Sequence, residues 1–308
     1  MECYLPGLNH QASGIRVNTQ EKLSAERIAT LMRAARKRAG LGQVDIAQKL
    51  GISQGAVSRT EHGILIPSAP IWFDFCKLTD ISPDSLVTGF IEKSSPALLE
   101  SPQGTAGFKI HSRYTTDRGS KIRAMLPFLS FFESIYGSQG MKQFLASIRV
   151  DPDFIVDHDN QINLNFCMDI ASRLIKDGHL KARSLGRLAK AANQRESHGS
   201  MHSHYDSVDG ALNRLQVLLR NARFYECNFD YKIEDFSSTS IQLSVTPNEH
   251  LKRFNYKNDE LGDLLCRYKQ HYFQQFAFAK SPSKEGQLIE KECLFHGGTR
   301  CVYEISVV

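Results

Sequence analysis

The stretch QVDIAQKLGISQGAVSRTEHG, residues 43–63, decides how the N-terminal part of this chain is read. Ser53 is placed to cap a helix over Gln54–Glu61, its hydroxyl accepting from the open amides of the first turn. Gly51 ends the preceding short helix, Val44–Leu50, because glycine enters the left-handed C-cap conformation without a Cβ penalty. Upstream, Ile28, Leu31, Met32 and Ala35 recur at helical spacing across Ala25–Ala39, and Gly40 and Gly42 stop that helix. Downstream, Ile71–Thr79 and Pro83–Ile91 complete a compact five-helix unit, the last helix capped by Ser82 with proline at its first position.

Charge concentrates on the same unit. Between Lys22 and Gly63 eight basic residues stand against three acidic ones, which accounts for the whole net charge of +5. A basic segment attached to a neutral body points to a polyanion-binding module carried by a second domain. The chain's 308 residues leave room for that domain. A hydrophobic content of 41% and a charged content of 23% are those of a globular protein. Apolar runs such as Ala124–Phe132 fall short of the ~20 residues a membrane span needs. The N-terminus lacks the basic start and apolar stretch of a secretory signal, and seven scattered cysteines do not make a disulfide framework. A cytoplasmic location is therefore expected.

Residues 1–24 carry no periodicity and read as a flexible tail. Residues 93–108, rich in Ser, Pro, Gly and Ala, read as a linker between the unit at 25–92 and a second domain at 109–308. In that domain helices are expected at 121–136, 141–148, 164–175, 208–222 and 261–278. The helix at 121–136 suits either a core position or a dimer contact. Hairpin strands are expected at 224–233 with 239–245, and at 287–294 with 300–307 across HGGT. The expected fold class is thus an all-α five-helix domain followed by an α+β domain with a small antiparallel sheet.

The motif at 43–63 is similar to the helix-turn-helix of phage-repressor-like regulators, the Cro/C1 (XRE) family. Gln43 opens the second helix, Ala47 stands where helices cross closely, Gly51 makes the turn, Ile52 and Val57 enter the core, and Glu61-x-Gly63 closes the recognition helix. A helix laid in the major groove reads base edges from its N-terminal and exposed positions, here Ser53, Gln54, Gly55, Ser58 and Arg59. Gln54 can bond adenine bidentately, and Arg59 can bond guanine or a phosphate. The resemblance implies that Gln43 grips the DNA backbone. Gly55 replaces the larger polar residue often found there, which shifts base reading towards Arg59.

The C-terminus holds a second constellation, Cys266 followed by Glu290-x-x-Cys293 and then Cys301. Three thiolates and a carboxylate would close a tetrahedral zinc site. Strict strand alternation places Glu290 and Cys293 on opposite faces, so the arrangement requires a bulge or bend between them. Three buried thiols, or a redox switch, would use the same residues. The spacing resembles the 4-vinyl-reductase-type sensor domain of phenol- and toluene-responsive activators, and that resemblance implies a structural zinc on Cys266, Glu290, Cys293 and Cys301. The chain lacks the ATPase module of those activators, and its one tryptophan, Trp72, lies in the DNA-binding unit, away from any effector pocket. The histidines His198, His202 and His204 lie in SHGSMHSHY, which reads as an exposed polar loop. Several of Phe128, Phe131, Phe132, Tyr136, Phe224, Tyr225, Phe229, Tyr268, Tyr272 and Phe276 are expected to face a cavity between helices and sheet.

Together these features predict a bacterial one-component transcription regulator, a homodimer on double-stranded DNA, controlled by a small-molecule effector. The alternative is a phage-repressor or antitoxin-like protein whose second domain docks a protein partner. No nucleophile–base pair, phosphate loop or pair of acids stands at catalytic spacing, so no enzymatic activity is expected. The linker is expected to carry the signal between the domains.

Overall fold

The computed structural model describes residues 24–92, 107–199, 201–252, 259–280 and 286–307. The tail expected at 1–24, apart from Ser24, and most of the linker expected at 93–108 lie outside the described residues.

Five helices form the first domain: α1 (Ala25–Arg38), α2 (Gln43–Leu50), α3 (Gln54–Glu61), α4 (Ala69–Thr79) and α5 (Ser85–Thr88). Each boundary has a local cause. Ser24 caps α1 by accepting from the Arg27 amide, Gly51 ends α2 in the left-handed region at φ 66°, and Ser53 caps α3 by accepting from the Ala56 amide. Ile28, Leu31, Met32, Ile46, Ala47, Val57, Trp72 and Phe75 interlock as the core.

The second domain is α+β. Its helices are α6 (Ser112–Thr115), α7 (Ile122–Ser147), α8 (Leu164–Lys176), α9 (Ala182–Ala192), α10 (Arg195–His198), α11 (Met201–Asp206), α12 (Ala211–Arg220), α13 (Glu249–Lys252) and α14 (Asp259–Phe278). Strands β1 (Ser120–Lys121) and β2 (Gln161–Ile162) make one short antiparallel pair. Strands β3 (Phe229–Phe236), β4 (Ser240–Pro247), β5 (Gly286–Glu292) and β6 (Cys301–Val307) form an antiparallel sheet in the order β3-β4-β6-β5. Both expected hairpins are present, and α14 packs across the sheet with Phe273 and Phe276 buried against Leu243, Tyr303 and Ile305.

Two expectations change, while the two helices expected at 121–136 and 141–148 are both present as the segments of α7, which breaks where Gly137 takes φ 70° and ψ 173°, a non-helical combination that a side chain would resist. Ile122, Met125, Phe128, Leu129 and Phe132 bury its inner face, so α7 is a core helix. The histidine stretch is not an exposed loop: it carries α10 and α11, and His198 is only 2% exposed. Apolar contacts explain this, because the His198 ring sits edge-on to Tyr205 and Phe276. Finally, Phe108 at the end of the expected linker is buried, edge to face with Phe154.

The two domains touch. Helix α1 lies against a 3-10 turn, Pro152–Val156, in the connector between α7 and α8.

Candidate DNA-binding face, effector cavity and metal centre

The face of α2 and α3 is held by a chain of polar contacts rooted in the core. Glu61 is 2% exposed and receives Arg36 through both carboxylate oxygens, at 2.6 and 2.9 Å. Gln43 donates to the same carboxylate at 2.9 Å and accepts from Gln54 at 2.7 Å. The first amide of the recognition helix is thus oriented from below before any base arrives. Ser53, Gln54, Gly55 and Arg59 are exposed, with Gln43 and Ser58 half-buried beside them. All six expected residues share one surface. A Cβ at Gly55 would meet nothing closer than 4.0 Å, so the glycine leaves open space above the helix. Sequence reading did not foresee that Glu61 anchors both glutamines; its signal was a carboxylate one helix turn past a buried valine.

A cavity of about 140 Å³ lies between the helices and the sheet of the second domain. This is close to the ~150 Å³ that accommodates a single benzene ring. Of the expected aromatics, Phe128, Tyr225, Phe229, Tyr268 and Tyr272 line it, joined by Tyr231 and Phe273. Phe131, Phe132, Tyr136, Phe224 and Phe276 do not; Phe132 and Phe276 are core residues. Three ionisable residues in the wall, Arg123, Glu226 and Lys269, escaped the sequence reading. The Lys269 ammonium lies 3.1 Å from the centroid of the Phe229 ring, 3.1 Å from the Tyr231 hydroxyl and 3.5 Å from Glu226. Tyr231 donates to Glu226 as well. Burial, reinforced by that carboxylate, pushes the Tyr231 hydroxyl well above its usual range, so it remains a donor. Burial likewise keeps the Tyr268 and Tyr272 hydroxyls protonated. The cavity therefore offers an apolar, aromatic interior with the Lys269 ammonium and its Glu226 and Tyr231 partners at one wall.

Behind that wall stand the four C-terminal residues. Cys266, Glu290, Cys293 and Cys301 bring one ligand atom each within 4.8 Å of one another. Helix α14 supplies Cys266, and the ends of β5 and β6 supply the rest. The required irregularity exists: the β5–β6 register slips between Glu290 and Glu292, and β5 ends before Cys293, so Glu290 turns to the side of the sulfurs. A tetrahedral centre with Zn–S of ~2.3 Å and Zn–O of ~2.0 Å separates its sulfurs by ~3.8 Å and sulfur from oxygen by ~3.5 Å. Cys266 lies 3.7 Å from Cys293, 3.4 Å from Cys301 and 3.5 Å from Glu290. The donor set and its spacing fit zinc. Without a metal the sulfurs share their charge unevenly: the hydrogen bond from Cys266 lowers the Cys301 thiol, while the same bond, with burial, raises Cys266. Tyr303 adds a hydroxyl 2.8 Å from the Cys266 sulfur.

The three histidines do not assemble comparably. His198 Nδ1 lies 3.1 Å from the Tyr225 hydroxyl, His202 faces Asp206 at 3.3 Å, and His204 is exposed. No helix among the described residues is long and apolar enough to cross a membrane.

Comparison with known proteins divides along the same line. Residues 27–87 match a family model described as a helix-turn-helix domain. The first domain is therefore a helix-turn-helix unit, as its motif indicates. No curated protein sequence matches the chain. Among solved structures, the Fe(II) unliganded H-NOX protein from K. algicida is similar over 61% of this chain and 96% of its own, at 9% identity and a TM-score of 0.45. The S. oneidensis H-NOX protein in the Fe(II)NO state gives 11% identity, 61% and 99% coverage, and a TM-score of 0.45. An oxygen-binding H-NOX domain related to soluble guanylate cyclases gives 14%, 61% and 94%, and 0.42. These neighbours are H-NOX domains and not members of the vinyl-reductase-type family that the cysteine spacing resembles.

Proposed function

We propose that this chain is a cytoplasmic one-component transcription regulator whose second domain binds a small effector. The observation that carries the reading is the pairing, in one chain, of an open recognition face on a helix-turn-helix unit with an aromatic cavity in the domain packed against it. The α2–α3 face binds operator DNA through Gln43, Ser53, Gln54, Gly55, Ser58 and Arg59. The effector is a single-ring or similarly compact apolar molecule whose polar group meets the donors around Lys269 and Tyr231. The protein acts as a homodimer on half-sites one DNA turn apart, ~34 Å. Support for the dimer comes from the apolar strip just after the recognition helix, where Ile64, Ile66 and Phe73 are 74%, 58% and 50% exposed; a second copy would cover it.

Zinc on Cys266, Glu290, Cys293 and Cys301 holds α14 to the β5–β6 hairpin, a reading supported by the four ligand atoms lying within 4.8 Å of one another. With four protein ligands the ion has no open position, so its role is structural. The experiment is selection of binding sites from random duplex DNA with the full chain. An enriched two-fold motif is expected. Gln54→Ala and Arg59→Ala should each relax the preference at one position by about 1–3 kcal/mol while non-specific binding persists. Recovery of no preferred sequence would overturn the regulator reading and favour a protein-docking role.

A further inference from the structure

One short acidic segment joins the DNA-binding domain to the cavity. Residues 151–159, DPDFIVDHD, lie in the connector between α7 and α8. On its outer side three carboxylates meet the basic face of α1. Lys37 Nζ is 2.6 Å from Asp151 and 2.8 Å from Asp153, Arg33 Nε is 3.3 Å from Asp153, and Arg38 Nε is 3.2 Å from Asp157. These are not loose surface pairs, since the Asp157 side chain is 0% exposed and that of Asp153 9%. Burial alone would lower the Lys37 pKa, but hydrogen bonds to Asp151 and Asp153 outweigh it and raise the value, so the cation is held. Around the ion pairs, His158 stacks on Phe90 at 4.3 Å and the Ile91 amide donates to Val156. Gly107 passes so close that a Cβ there would lie 1.9 Å from the Lys37 carbonyl oxygen.

The inner side of the segment reaches the cavity wall through Arg123. Asp159, 4% exposed, lies 3.2 Å from Arg123 and 3.4 Å from Lys121. The Arg123 amide donates to the His158 carbonyl, and the Ile122 amide to that of Asn160. Arg123 is itself part of the cavity wall. The two sides are tied within three residues, because Asp157 accepts from the Asp159 amide at 3.0 Å.

We infer that residues 151–159 form a two-sided ionic latch through which the cavity governs how the DNA-binding domain is held. The inference rests on the reading of the cavity as the effector site, and it supplies the regulation of that site. Asp159 cannot follow Arg123 without moving Asp157, and Asp157 cannot move without releasing Arg38. Packed contacts of this kind switch between discrete arrangements and do not stretch. A ligand that prefers one position of Arg123 therefore prefers one position of α1. By linkage, DNA that prefers a released α1 changes the ligand's affinity by the same factor. The route bypasses residues 93–106.

Hydrogen exchange on the full chain tests both halves, with benzene as the probe of the cavity. In the native protein, benzene should slow exchange in α12 and α14 and change it at least threefold in α1. Asp151→Lys should speed exchange in α1 and residues 151–154 about tenfold, and Asp151→Glu, which keeps a carboxylate for Lys37, should leave it close to native. In Asp159→Asn, benzene should still protect α12 and α14 but leave α1 unchanged. Arg123→Lys, which keeps a cation against Asp159, should weaken the α1 response without abolishing protection in α12. Protection of α12 and α14 with no change in α1 of the native protein would overturn the latch and leave the effector cavity standing. No protection of α12 or α14 would overturn the cavity reading and the latch with it. Native exchange in α1 of Asp151→Lys would overturn the outer half.

Discussion

At the scale of single residues, Glu61 organises the α2–α3 face from beneath it. Its carboxylate, 2% exposed, is shared between Arg36 and Gln43, and Gln43 in turn fixes Gln54. Removing one partner of a buried pair leaves the other uncompensated, which is far costlier than losing an exposed pair. Glu61→Ala should therefore destabilise the first domain by about 3 kcal/mol in urea denaturation of the full chain. It should also loosen Gln54, so that operator preference falls while binding to arbitrary duplex at low salt persists. The six face residues were legible in the sequence because a helix-turn-helix has a fixed geometry: Gly51 and Ser53 set the register, and the exposed positions follow. Glu61 as an anchor was not, since its partners come from α1 and α2 and only the folded helices bring them together. The same applies to His198, where polar neighbours at 197, 199 and 200 suggested solvent and the burying surface came from Phe276, far along the chain.

At the scale of elements, periodicity found most helices and both hairpins. The pattern interrupted at Gly137 reads as two helices, and α7 does break there, with its two segments buried in one core. Helix α9 was missed altogether: its alternation of basic and small residues resembles a solvated stretch until Leu185, Leu188, Ala189 and Ala192 are seen to pack together on one side. The cysteine cluster joins two elements, α14 and the β5–β6 hairpin, and its contribution belongs at this scale. A zinc ion shared between them would resist their separation, and chelation would remove that restraint. Treating the purified chain with a strong chelator should therefore lower its melting temperature and speed hydrogen exchange in β5, β6 and the middle of α14, with α1–α3 unchanged. Cys293→Ser should reproduce the effect and abolish its dependence on chelator. Elemental analysis should return one zinc per chain in the native protein. A melting temperature and exchange pattern indifferent to chelator would mean that the three sulfurs are buried thiols.

At the scale of the whole molecule, composition placed the basic unit and the neutral body correctly but could not say that they touch. The acidic connector that receives α1 reads in the sequence as a turn-rich loop, because its partners lie more than a hundred residues upstream. Two neutral histidines sit at the junctions of this assembly, and they give it a dependence on pH. His158, against Phe90 and beside Arg123 and Asp159, is pushed down to about 3, first by burial and then by the Arg123 charge. His198, among Tyr205, Tyr225 and Phe276, is also pushed down to about 3, chiefly by burial and then by His202, Arg123 and Arg214. In the unfolded chain each titrates near its ordinary value of 6.5. Between pH 6.5 and 3 the unfolded state therefore binds protons that the folded state refuses, and stability rises with pH across that window. It is fully present above 6.5 and is lost as the pH falls. At pH 5 each histidine should have cost about 2 kcal/mol relative to neutral pH. Most carboxylates with lowered values, such as Glu234, Glu292 and Asp206, start from 4.5 or 3.8 in the unfolded chain and add their loss below pH 5. Glu92, raised by burial, acts in the opposite sense. Comparing variants with the parent cancels these other groups. In urea denaturation from pH 7 to pH 5, His158→Gln and His198→Gln should each flatten the dependence by up to about 1.4 kcal/mol per pH unit, the value for one proton. A slope unchanged by either substitution would mean that the imidazole titrates freely in the folded protein, and that the corresponding junction is open to water.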